Sequence, residues 1–422
     1  MPIPSRNHYK KSNPGYLTNG KSLPKKICII TQSHLCRNPR VLKEAITLTT
    51  AGYEVCILTG IISADLYQQD LDAIKAFPKL SLQIVSDLSA STIYSFTDKL
   101  FHKLGRLLTR NFKIETILSL GYGAARYYNK AKAIKAHLYI CHQELATYIG
   151  TKLLNADFKV AFDFEDWYSE DLLPDARAER PINLLRRVES VALNKGVFCV
   201  TTSNVLAKKL ATVYRCPTPQ VIYNVFTSPG IPFKKEFSKP LKLFWFSQTI
   251  GPGRGLEQFI KLLGSIKSRL EIHLLGNIDN RYREKLNTLL PKQHLLFFHD
   301  TVKANKLAEK ITEFDIGLAL ELDIPMSRNY TITNKFFQYI QSGLPVISSE
   351  TEGQNEAFEM FKPGFKLPQQ PGYTQIAGLE KWLNDPVELQ TAKNRAIEAS
   401  AFYNWENESK KLVALVKDAL EK

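Results

Sequence analysis

The chain has 422 residues, an apolar share of 44% and a formal net charge of +15 at pH 7. That length predicts two domains rather than one core, and the apolar share excludes a disordered chain. No apolar run reaches the roughly 18 residues that cross a bilayer, which excludes a membrane-spanning helix, and the excess positive charge calls for an anionic partner.

Residues 1–24 are polar and rich in Pro, Gly and Lys, without the apolar core of a secretion signal, and are expected to be a disordered lead-in. From residue 25, strand-like runs alternate with helical ones: KICIIT (26–31), a helix over 38–52, then strands at 53–60 and 80–85. A basic segment, 99–136, follows, in which Lys and Arg interleave with Leu, Ile, Phe and Tyr at helical spacing. Such a segment can lie on anionic lipid headgroups, or it can be a solvated face over a core stripe. Nucleic acid is not the expected partner, because no recognisable motif for it is present. The alternation resumes with strands at 137–142, 159–164, 196–203 and 219–225 and a helix over 144–156. These runs are rich in Val, Ile and Cys and do not alternate in polarity, as befits strands buried on both faces of a parallel sheet. The cysteines at 28, 36, 56, 141, 199 and 216 form no Cys-x-x-Cys pair, and several lie in apolar runs. They read as small core residues in a reducing cytosol, without a disulfide framework or structural metal.

The first domain is expected to span 25–228. A linker at 229–240 contains Pro229, Gly230, Pro232 and Pro240. A second domain, 241–400, repeats the pattern with strands at 241–249, 270–276, 294–299, 314–320 and 344–349 and a helix over 254–268. The fold class is therefore α/β, with two Rossmann-like doubly wound domains facing across a cleft where the carboxyl edges of open sheets bind ligands. The last segment, 401–422, is an amphipathic helix that either caps its own domain or crosses back to the first.

Four segments carry chemistry. The strand ending at Gln248 opens into a loop with Gly251, Gly253 and Gly255 and places Arg254 at a helix start. Small residues admit a phosphate close to backbone N–H groups, and Arg adds a bidentate donor. The run Asn334–Ile347 reads as a short amphipathic helix, a Gly stop and a buried strand, so the helix N-terminus around Thr333, Asn334 and Lys335 offers an anion site. In the first domain His142 ends one strand. Asp163, Glu165, Asp166, Glu170 and Asp171 surround Trp167 and Tyr168 at the end of the next, a set suited to reading sugar hydroxyls, unless Asp163 or Asp166 serves as a helix cap. Pro39 suits a first helical turn, and Arg37 and Arg40 beside it are open to a phosphate or an anionic acceptor.

These segments together resemble retaining glycosyltransferases of the GT-B fold, the family 4-like group. The run from Asn334 to Val346 is similar to that family's Asn-Lys-x-x-Glu-Tyr-x-x-x-Gly-x-Pro-Val, and the loop at 247–257 resembles its Gly-Arg…Lys/Arg-Gly-Leu-Glu element, with Ser247-Gln248 in place of Gly-Arg. The segment 139–145 is similar to its His-x-His-Asp/Glu strand end, and 163–166 to its Asp-x-His-Glu, with Glu165 in place of His. The resemblance covers 26–422. It implies transfer of a sugar from a nucleotide diphosphate donor to a glycan or lipid-linked acceptor, with retention, in cell-surface polysaccharide synthesis. No metal and no cofactor beyond the donor is implied. The place expected from the cysteines is the cytoplasm, with the basic segment 99–136 open either to the inner face of an anionic membrane or to solvent. Donor contacts carry over to Gln248, Gly253, Arg254, Thr333, Asn334, Lys335 and Gln338, with Arg254, Lys335 and helix N–H groups stabilising the departing diphosphate. His142 would hydrogen-bond the donor sugar, and Glu165 and Asp166 would orient sugar or acceptor hydroxyls. The family's Glu-x7-Glu pair falls here on Tyr330 and Gln338, which leaves a non-catalytic subunit open, as well as a nucleotide-sugar epimerase of the same architecture. Glu321 is one candidate substitute; Glu350, Glu352 and Glu356 are expected to be solvated.

Overall fold

The computed structural model describes residues 24–234 and 236–421, so the expected disordered lead-in lies outside the described residues except for Pro24. Seven strands form the first sheet: β1 (Lys26–Ile30), β2 (Glu54–Ile61), β3 (Leu80–Asp87), β4 (Leu138–His142), β5 (Val160–Phe164), β6 (Cys199–Thr201) and β7 (Gln220–Val221). Their order is β3-β2-β1-β4-β5-β6-β7, and every pairing is parallel. The second sheet contains β8 (Leu241–Thr249), β9 (Leu270–Asn277), β10 (Leu295–His299), β11 (Ile316–Ala319), β12 (Val346–Ser349) and β13 (Gly364–Leu367), ordered β10-β9-β8-β11-β12-β13 and again parallel. Strand order reverses beside β1 and beside β8, and such switch points open a crevice at the carboxyl edge.

The non-alternating runs are buried on both faces, as in Ile27–Ile30 and Tyr139–Cys141. The cysteines are free thiols, and four of them are buried. Several expected elements came out shorter, among them the strand at 196–203, which pairs only over β6. The strand at 219–225 pairs only over β7, because Tyr223 N–H donates to Glu408 on the terminal helix (3.0 Å) instead of to a neighbouring strand. The helix over 254–268 ends at Leu262 and tightens into a short turn at Leu263–Ser265. The edge strand β13 had too little apolar length to be read from sequence.

The terminal helix, Trp405–Glu421, lies on the first domain. Trp405 Nε1 donates to Thr47 Oγ1 (2.9 Å), and Lys25 and Lys159 donate to the carbonyls of Leu420 and Ala419 (2.8 and 3.1 Å). One continuous buried cluster joins Ile29 and Val41 of the first domain, Phe336 and Tyr339 of the second, and Leu412 and Val416 of this helix. A second tie comes from the helix Glu352–Phe361. Its Glu356 accepts from the N–H groups of Asn204 and Val205 (2.9 and 2.8 Å), capping the first-domain helix Asn204–Tyr214 where its dipole is positive. Glu356 also accepts from the Tyr223 hydroxyl, so it is an interdomain clasp and not the solvated acid expected.

Candidate active site

On the first sheet, the carboxyl ends of β4 and β5 deliver His142, Asp163 and Glu165 against the helix Pro39–Thr50. This helix starts at Pro39, and Asn38 caps it with its side chain accepting from Val41 N–H (3.2 Å). Its first turns point Arg40 and Glu44 inward, where both are fully buried with His142 and Asp163. Arg40 Nε donates to Asp163 Oδ2 (2.7 Å) and lies 3.4 Å from Glu44, and its Nη1 donates to the Ile222 carbonyl (2.8 Å). His142 lies 3.1 Å from Glu44 through Nε2 and 3.0 Å from Glu165 through Nδ1. Burial works to lower the His142 pKa, but the carboxylates of Glu44, Asp163 and Glu165 overcome it and lift the ring to about 10. Burial pushes the Glu44 carboxyl up to about 7, with the Asp163 charge adding to it.

Two expectations change here. Arg40 cannot reach a phosphate or acceptor: its guanidinium is held inside the domain by Asp163. His142 has no exposed surface, its Nδ1 is paired with Glu165 and its Nε2 points inward, 3.1 Å from Glu44, so it stands behind Glu165 in this conformation. Glu44, His142 and Asp163 present ligand atoms within 4.8 Å of one another, the spacing of a metal site. The donor chemistry does not fit a resident cation, because the buried Arg40 guanidinium already stands among these carboxylates, 2.7 Å from Asp163 and 3.4 Å from Glu44.

Glu165 and Asp166 face outward from this cluster into a cavity of about 400 Å³, which Gln32, Tyr122, Gln143 and Arg180 also line. Glu165 Oε1 accepts from Asn38 Nδ2 (2.9 Å). Burial, with the nearby charges of Asp171 and Glu165, raises the Asp166 carboxyl well above its usual range, although Arg254 and Arg328 of the second domain draw it down.

On the second sheet the sequence-expected donor residues lie at or beyond the carboxyl ends of β8 and β11. The carboxylate of Glu321 lies just past β11 and is 3.1 Å from both Arg254 Nη1 and Lys335 Nζ. Lys335, buried at the start of the helix Asn334–Gln341, also donates to Thr333 Oγ1 (3.2 Å) and stands over the Trp245 ring at 5.3 Å. Burial favours a protonated Glu321, but Lys335, Arg254 and Arg328 hold its carboxyl below the usual range. Thr333 caps this helix without a side-chain hydrogen bond to the first-turn N–H groups, and Asn334 is exposed there with Gln338 half-buried one turn on. Gly253 sits at φ +80 with open space where a Cβ would lie, and its carbonyl accepts from Arg328 Nη1 (2.7 Å). Gln248 reaches across the cleft and accepts from Arg37 (2.5 Å). The sequence reading missed Arg328, which lies in the short helix Met326–Tyr330, a stretch read from sequence as a loop with no phosphate-binding pattern around it. Tyr330, aligned with the family's first Glu, instead packs 6.3 Å from the Trp167 ring at the domain junction.

No protein-family model matches the sequence, and no curated protein matches it. Solved structures do. Sucrose-phosphate synthase from Thermosynechococcus elongatus matches with TM-score 0.69 at 16% identity, over 93% of this chain and 98% of that one. HepE from Anabaena, in complex with UDP and glucose, matches with TM-score 0.62 at 14% identity, over 93% and 100%. A TarM mutant from S. aureus, in complex with fondaparinux, alpha-GlcNAc-glycerol and UDP, matches with TM-score 0.63 at 9% identity, over 94% and 100%. A putative UDP-N-acetylglucosamine 2-epimerase from Listeria monocytogenes matches with TM-score 0.53 at 12% identity, over 95% and 97%. What this chain shares with them is the GT-B fold, two doubly wound parallel domains with a cleft between their carboxyl edges.

Proposed function

We propose that this protein is a glycosyltransferase that moves a sugar from a nucleotide diphosphate donor to a glycan or lipid-linked acceptor, with retention and without a metal, in cell-surface polysaccharide synthesis. The observation that carries it is the convergence of Arg254, Lys335 and Arg328 around Glu321, beside an unsatisfied helix N-terminus and opposite Asp166. Three cations face the Glu321 carboxylate, with Asp171 and Asp166 across the cleft also within electrostatic reach of Arg254 and Arg328, and a diphosphate enters by replacing Glu321 as their partner. In the transfer, the bond from the anomeric carbon to the diphosphate oxygen breaks with its electron pair on the diphosphate. The cations and helix N–H groups stabilise that charge. The acceptor oxygen bonds to the same carbon, and its proton passes to the departing diphosphate oxygen. Glu165 and Asp166, on the wall of the first-domain cavity, orient acceptor or donor-sugar hydroxyls, with His142 positioning Glu165. The UDP held by two of the structural neighbours makes UDP-sugars the first donors to try.

The test is thermal shift of the protein with UDP-, GDP-, ADP- and CMP-sugars, because a ligand that binds the native state raises its apparent stability. A charge-assisted hydrogen bond contributes about 1.5–3 kcal/mol, so Arg254→Ala and Lys335→Ala are each expected to weaken donor binding by roughly tenfold or more. A shift that survives both substitutions would place the donor elsewhere. The replacement of both family acids by Tyr330 and Gln338 supports a second reading, a non-catalytic subunit. It would bind donor weakly and release no nucleotide when given acceptor. An epimerase would interconvert free nucleotide sugar without any acceptor.

A further inference from the structure

The helix Ile93–Phe112 is built inside out. Its inward residues are small or polar: Ser95, Asp98, Gly105 and Thr109 are buried, and a Cβ on Gly105 would meet Leu118 at 2.8 Å, so the helix is pressed tightly onto the domain. Its outward face is apolar: Ile93, Phe96, Leu100, Leu104 and Leu107, spaced three or four residues apart, are between 42% and 69% exposed. Phe101 and Phe112 widen the stripe. A contiguous exposed apolar face of this kind marks a surface that something covers. Along its flank Lys99, Lys103, Arg106 and Arg110 line a groove of about 620 Å³ in which Glu179 is the sole carboxylate among the lining residues. Apolar residues on the outer face of a surface helix, with cations beside them, match the interface of an anionic bilayer, where the apolar side enters the acyl boundary and the cations meet headgroups.

We propose that this helix docks the protein on an anionic lipid bilayer. A second copy of the chain fits less well, because Arg106 and Arg110 share a single carboxylate, Glu179, and an isologous contact would bring this excess of positive charge, with Lys99 and Lys103, onto its own copy. The groove adjoins the cavity beside Glu165 and Asp166, and Tyr122 lines both. Docking therefore sets the acceptor cavity at the headgroup level, where a lipid-linked acceptor is presented. That consequence rests on the transferase reading; the docking face itself does not.

The experiment is co-sedimentation of the full chain with vesicles of phosphatidylglycerol and phosphatidylcholine, against phosphatidylcholine alone. Two double variants accompany it: Leu100→Ser with Leu104→Ser, and Lys99→Glu with Lys103→Glu. Wild type is expected to partition onto the anionic vesicles at least about tenfold more strongly than onto the neutral ones, and each variant to lose most of that preference. Raised salt should weaken the charge-driven part. Wild type remaining in the supernatant overturns the proposal, as does equal binding by both variants, which would assign the contact to other basic residues. A wild-type dimer in analytical ultracentrifugation that the serine pair converts to monomer would make the face a self-association surface instead. Thermal shift with UDP-glucose on the same samples separates the two readings. A wild type that shifts with UDP-glucose but stays off the vesicles counts against the docking face, and a wild type that binds vesicles without a nucleotide shift counts against the transferase.

Discussion

At the scale of single residues, the densest feature is a knot of charge with almost no solvent around it. Arg40, Glu44, His142 and Asp163 are each fully buried, so Arg40, His142 and Asp163 keep their charges through one another, while Asp163 and burial push the Glu44 carboxyl up to about 7. Removing one leaves its partners charged in a poor dielectric, which costs about 3–5 kcal/mol. Arg40→Ala is therefore expected to lose roughly that much stability in urea unfolding, while a surface substitution such as Lys306→Ala changes it by less than about 0.5 kcal/mol. Equal midpoints for the two would mean that the knot does not hold the domain. His142 adds a pH dependence. Its folded pKa, about 10, is raised above the ordinary imidazole value of about 6.5, so its contribution is complete below the latter and is lost as pH climbs through the former. Melting temperatures of wild type and His142→Gln should thus be furthest apart near pH 6 and converge towards pH 10. A gap that widens with pH would show the ring to be neutral in the fold.

At the scale of elements, the donor-side helix Asn334–Gln341 owes its position to two glycines. Gly343, at φ +72, ends the helix in a conformation that L side chains resist, and Leu344 N–H turns back to the Tyr339 carbonyl (3.0 Å). Gly317 in β11 lies directly under the Tyr339 ring, and a Cβ there would come within 2.2 Å of it. The ring is fully buried against Phe244 and Phe246 and cannot yield, so the helix must lift. Gly317→Ala is expected to cost about 1–3 kcal/mol by overpacking, and to reduce nucleotide binding because Lys335 rides on the displaced helix. Calorimetry with UDP reads both effects; unchanged stability and binding would mean that the helix has room to spare.

At the scale of the whole molecule, the two sheets are held together by the terminal helix and by Glu356. That carboxylate satisfies two N–H groups at the start of a helix in the other domain and accepts a tyrosine hydroxyl as well. Glu356→Ala removes a cap of about 1 kcal/mol and the dipole contact with it. The expected outcome is a more open average shape, read as a larger radius of gyration in X-ray scattering, with each domain still folded by circular dichroism. An unchanged radius would leave the terminal helix and the shared apolar cluster as the sufficient link.

The sequence by itself determined the two α/β domains, because unbroken Val, Ile and Cys runs separated by helical spacing have few other ways to bury their apolar surface. It also made Arg254 and Lys335 legible as cations at strand-to-helix turns, where local pattern is enough. Tertiary structure alone decided which partners these residues meet. Arg40 stands 123 residues from Asp163, and Arg254 stands 67 from Glu321. Periodicity reports which face of an element is buried, but the choice of ion partner depends on which distant strand end arrives beside it. For the same reason Arg40 reads in sequence as a ligand contact and is in the fold an interior charge, while Arg328, in the short helix Met326–Tyr330 that has no marked sequence pattern, becomes part of the cationic site. The inverted helix Ile93–Phe112 shows the remaining case: its period was plain, but only packing reveals that the small polar face points inward and the apolar face points out.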